Sequence, residues 1–100
     1  GIIYPSVNPK TICDGLLTNL SEKTFSILRN NVNEILTVEE DSIINAMRMI
    51  WERMKIIVEP SAAVTLAVVL ENKEKFSGKK VALILSGGNV DLQKLPWGNE

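Results

Sequence analysis

With 100 residues and 45% hydrophobic side chains, the chain is sized for one small domain around one core, and its composition excludes a disordered tract. A net charge of −1 and scattered lysines and arginines exclude an electrostatic footprint for nucleic acid or an anionic membrane. No apolar run approaches the roughly 20 residues of a membrane span.

The chain has no histidine and a single cysteine, Cys13. No intrachain disulfide can form, and a reducing, cytoplasmic location is expected. Ser-His and Cys-His nucleophile pairs are excluded, and a metal site would have only carboxylates to draw on. Chemistry here must use carboxylates, lysines, hydroxyls or a cofactor. No charged-then-apolar leader is present, and Gly1 reads as a cut point.

Residues 1–10, with Pro5 and Pro9, read as an extended lead-in. Thr11 to Leu20 predicts a short helix bent near Gly15. Ser21 to Thr24 predicts a capping turn for a helix near Thr24 to Asn31. Glu34 to Val38 predicts a short strand. The strongest helix spans Glu39 to Val58. Thr37 and Glu40 have capping-box spacing, and acids in the first turn and bases in the last fit the helix dipole. Ile43, Ile44, Met47, Ile50, Trp51, Met54 and Ile57 form its apolar face. Pro60 ends this helix and opens the next, to Glu71, which is apolar nearly all round and so predicted buried on several sides.

After a turn at Ser77 to Lys80, Val81 to Leu85 is a continuous apolar run bounded by turns. It predicts a strand covered on both faces, as in a parallel sheet. The tail through Trp97 reads as a surface connection. Two strands and two nearly all-apolar surfaces make a core too large for its cover. The fold class read from this is α/β: a partial doubly wound sheet with helices around a short parallel sheet. Residues 1–100 read as a single segment of a larger domain.

Three segments could carry chemistry. Ser86-Gly-Gly-Asn89 follows the strand, where open α/β sheets bind ligands. It is either a structural Gly-Gly turn or a loop that brings backbone and the Ser86 hydroxyl to a ligand. It is neither a phosphate-binding Walker loop nor a dinucleotide fingerprint. Glu59, before Pro60, either caps the following helix or faces a site. Lys55, one turn earlier, is either a solvated C-terminal cation or a ligand contact. Asp14-Gly15 reads as a common turn pair. Cys13, Trp51 and Met54 read most simply as core.

In this order and spacing, PKTICDGL (Pro9 to Leu16), ILTVEEDSI, WERMKIIVEPSAA (Trp51 to Ala63) and VALILSGGNVDL (Val81 to Leu92) resemble one family. The chain is similar to the C-terminal region of serine racemase and the serine/threonine and hydroxyaspartate dehydratases, pyridoxal-phosphate enzymes of fold type II. The likeness covers essentially the whole chain and implies the C-terminal part of the large domain.

The resemblance implies that Ser86 hydrogen-bonds the pyridine nitrogen of pyridoxal phosphate. It places Glu59, Gly87 and Gly15 at the cofactor, and Asp14 and Thr18 at the substrate pocket. It carries nucleotide contacts over to Lys55 and Asn89. It also implies Mg or Mn and ATP as effectors, held mainly by upstream residues, together with a homodimer and a small β-hydroxy amino acid as substrate. The family's Schiff-base lysine, phosphate loop and metal carboxylates lie upstream, and no lysine here has the required sequence context. No catalytic residue and no metal ligand is therefore expected in these 100 residues. The remainder of the enzyme chain would be their partner. A noncatalytic module binding a partner chain or nucleotide, and a small standalone α/β domain, are the alternative readings.

Overall fold

The computed structural model describes residues 10–16 and 18–98; the lead-in through Pro9 lies outside them. The described residues form four α-helices: α1 (Glu22–Asn31), α2 (Glu40–Met49), α3 (Pro60–Glu71) and the short α4 (Lys73–Phe76). A π-helical turn, Ile50–Met54, continues α2, and a 3-10 turn covers Asp14–Leu16. Among the described residues there is no strand.

α1 begins where its chemistry allows. The Ser21 hydroxyl accepts from the Thr24 N–H at 3.1 Å, and the Thr24 hydroxyl accepts from the Ser21 N–H at 3.0 Å. This reciprocal box satisfies two orphan donors and starts the helix earlier than the sequence pattern suggests. The Thr37–Glu40 box expected for α2 does not form, because Glu39 is its N-cap and makes no side-chain cap. Glu71, at the end of α3, does the work instead. Its Oε1 accepts from the Ser42 hydroxyl at 2.8 Å and from the Glu39 N–H at 3.4 Å. The Glu40 carboxylate is directed to the Ile12 N–H.

The core lies where α2 packs on α3. Ile43, Ala46, Met47 and Ile50 from α2 and its continuation meet Ala62, Ala63 and Ala67 of α3, with Cys13 and Val58 completing the cluster. The alanines at zero or near-zero exposure let the two helices approach closely.

The long helix ends before Val58. The π turn inserts i→i+5 bonding, which retards the helical rotation and carries Met54 off the core face to 56% exposure. Lys55 then adopts left-handed backbone (φ 59°, ψ 34°) and stops the helix. Residues 56–59 form no helix before Pro60, so Ile57, expected on the helix face, is exposed.

Both predicted strands are absent. Glu34–Val38 and Val81–Leu85 carry no regular secondary structure, and Ile84 is 78% exposed. A strand exists only through hydrogen bonds to a neighbour, and these runs have none among the described residues. Of the helix expected over Thr11–Leu20, the described residues form only the Asp14–Leu16 turn. The tail is more than a surface connection: Val90 and Trp97 pack against the core.

Candidate functional site

Three chain segments converge at Glu59. The Glu59 N–H donates to the Gly87 carbonyl at 3.0 Å, tying the Ser86-Gly-Gly-Asn89 loop to the residue before α3. The Glu59 carbonyl accepts from the Ala62 and Ala63 N–H groups and starts the helix. Its side chain makes no cap on α3, which removes the capping reading.

The carboxylate turns instead toward the two glycines. A β-carbon placed on Gly87 would overlap Glu59 Oε1, and one on Gly15 would lie 3.9 Å from Glu59 Oε2. Glycine at position 87 gives the carboxylate its room, whereas at Gly15 the tight neighbour is the Ser61 Oγ, 3.0 Å from such a β-carbon. Gly15 is held by the Ser61 hydroxyl, which accepts its N–H at 3.1 Å. Gly88 rests directly on the Ile57 carbonyl. Glu59, Gly15 and Gly87 are thus brought together. Ser86, adjacent to Gly87, presents an exposed hydroxyl.

Asp14 and Asn89 share a second feature, a cleft of about 280 Å³ lined also by Ile12, Met47, Pro60 and Lys94. Lys55 stands apart from it: its ammonium donates to the Glu52 carbonyl on its own helix end, the arrangement of a C-terminal helix cation. Thr18 is exposed. Among the described residues, no three thiol and carboxylate groups cluster to hold a metal.

Sequence reasoning missed Ser61 and underread Trp51. Ser61 carries a signal, being a hydroxyl in the first turn of a helix next to Glu59. The Trp51 indole donates to the Val58 carbonyl at 2.9 Å, and nothing in the helical pattern pointed to that bond.

Cys13 is 1% exposed. Burial pushes its thiol above the ordinary 9.0; the Glu40 and Asp14 charges push the same way, while hydroxyl contacts from Thr11 and Ser61 oppose them. The folded state therefore favours the neutral thiol. That stabilisation is fully present below pH 9.0 and is lost as the pH rises through the raised folded value. Cys13→Ala should abolish this alkaline loss in denaturation midpoints followed across pH. Alkylation of the native thiol should also be slower than in urea.

The chain matches the family of pyridoxal-phosphate dependent enzymes over residues 2–87, and it belongs to that family.

Within the family its likeness is to the racemase and dehydratase branch of fold type II. Beta-hydroxyaspartate dehydratase of Paracoccus denitrificans is 48% identical over 97 residues, 97% of this chain and 31% of that protein. Serine racemase of Dictyostelium discoideum is 53% identical over 89 residues, 87% of this chain and 28% of that protein. The crystal structure of that racemase superposes with a TM-score of 0.80 at 51% identity, over 90% of this chain and 29% of its own. The chain therefore spans less than a third of the length of these relatives.

Proposed function

We propose that this chain supplies the ring-nitrogen side of the cofactor site in a pyridoxal-phosphate enzyme acting on β-hydroxy amino acids, by racemisation or by β-elimination of water and release of ammonia. The observation that carries it is the meeting of Glu59, Gly15 and Gly87 beside Ser86. Gly87 leaves the Glu59 carboxylate its room beside the exposed Ser86, so the polar residues present fit the edge of such a group.

When bound, pyridoxal phosphate draws electrons from the substrate's amino nitrogen and so acidifies the adjacent C–H. Ser86 holds the ring nitrogen through its hydroxyl. A neutral hydroxyl leaves that nitrogen largely unprotonated, where a carboxylate would hold a proton on it. Glu59 sets the local charge and orients the Gly87 backbone. Asp14 and Thr18 face the substrate, and Asn89 with Lys55 contacts a nucleotide effector such as ATP. Mg or Mn, the Schiff-base lysine and the phosphate cradle come from other residues of the enzyme, which works as a cytoplasmic homodimer. In that assembly, Val81–Leu85 takes its place in a doubly wound parallel sheet.

Ser86→Ala in the holoenzyme carrying this chain is expected to weaken cofactor binding about tenfold, the value of one lost hydrogen bond. It should also lower kcat. Absorbance titration of the cofactor-free protein and steady-state rates check this, and unchanged values for both remove Ser86 from the site.

The exposed apolar residues Ile35, Ile84 and Leu92 favour a second reading, a noncatalytic module that docks a partner chain. Monomeric elution of the isolated chain on size exclusion would speak against that module.

A further inference from the structure

We infer that Trp51 is a positioning residue for Glu59, and that Trp97 locks Trp51 in place. The inference rests on the reading of Glu59 as part of the cofactor site.

The peptide group between Val58 and Glu59 is bonded at both ends. Its oxygen accepts from the Trp51 indole N–H at 2.9 Å, and its N–H donates to the Gly87 carbonyl at 3.0 Å. Rotation of this peptide would break both bonds at once. Its orientation fixes the direction in which the Glu59 side chain leaves the backbone, and hence where the carboxylate stands between Gly15 and Gly87. Val58 itself is 1% exposed, so its carbonyl has little water to fall back on, and an unpaired buried acceptor is costly.

Of the two bonds on this peptide group, the one from the Trp51 indole comes from a side chain. Trp51 lies in the π turn and packs, partly buried, against the core. Its ring is fixed from the other side by Trp97, which meets it edge to face with centroids 5.3 Å apart and planes at 84°. That geometry is the favoured one for aromatic pairs. The C-terminal segment is thereby linked to the Glu59 peptide through two aromatic side chains.

The test is Trp51→Phe, which keeps a ring and removes the N–H, in the holoenzyme carrying this chain. The first readout is hydrogen exchange at the Glu59 amide in the cofactor-free protein. Exchange should accelerate about tenfold. The Phe25 amide, bonded to the Ser21 carbonyl at the start of α1, should be unchanged. The second readout is catalysis: kcat should fall with KM nearly constant, and Trp51→Phe should add little to a Glu59→Gln background. Trp97→Phe, a milder change that spares the indole donor on Trp51, should move the same amide in the same direction by less.

Unchanged exchange at Glu59 overturns the inference. Acceleration at both Glu59 and Phe25 also overturns it, since the role would then be global stability. Faster exchange at Glu59 alone with unaltered kcat upholds the positioning of the peptide and overturns the reading of Glu59 as a site residue.

Discussion

Gly88→Ala is expected to lower stability by about 1–3 kcal/mol, the range for forcing an extra methyl into a packed contact, and to separate the serine-bearing loop from the segment before α3. A β-carbon there would stand 2.6 Å from the Ile57 carbonyl oxygen. That oxygen belongs to the backbone and cannot rotate aside, so the loop itself must move. The neighbouring bond from the Glu59 N–H to the Gly87 carbonyl should fail with it. Gly87→Ala is a useful contrast, because its new methyl meets the Glu59 carboxylate, the far end of a flexible side chain. It should displace the carboxylate and spare the fold. Urea midpoints for both variants, with tryptophan emission as the probe, decide between these outcomes. Equal midpoints for Gly88→Ala and the parent would show that the loop does not rest on Ile57.

Met47→Ala should cost about 2–5 kcal/mol, the range for truncating a buried methionine. Met47 is 1% exposed on the face of α2 that meets α3, and its partners Ala46, Ala63 and Ala67 are already fully buried. Small rigid neighbours cannot collapse into the space it leaves, so the cavity term remains. The same buried cluster includes Cys13 and Val58, which places Glu59 one residue from the damage. Met47→Leu, nearly conserving volume, should cost less than about 1.5 kcal/mol. Chemical denaturation followed by helical circular dichroism measures both. Similar midpoints for the alanine and leucine variants would count against a tightly packed α2–α3 contact.

Much of the helical framework is legible in residue order, because helices are held by local bonds. The period of Ile43, Met47 and Ile50 marks the buried face of α2, Pro60 marks the start of α3, and Ser21 with Thr24 marks the cap of α1. The failures share one cause. Val81–Leu85 has the composition of a covered strand, yet a strand is defined by its neighbour, and these residues find none among the described ones. Thr37 and Glu40 have the spacing of a capping box, yet Glu71, distant in sequence, takes the position. The π turn and the left-handed Lys55 end the long helix early, and hydrophobic periodicity is blind to both.

The candidate site divides in the same way. Residue types and their order were enough to single out Ser86, Glu59 and Gly15, and to mark the family to which the chain belongs. Their meeting depends on contacts between residues far apart in the chain: the Glu59 N–H on the Gly87 carbonyl and the Gly15 N–H on the Ser61 hydroxyl. Local propensities and periodicities act over a few residues, so the sequence by itself determined the helices and the inventory of reactive groups. Only the tertiary structure decided that the Glu59 side chain leaves its helix uncapped and turns to the glycines, because that choice is made by donors and acceptors supplied from other segments.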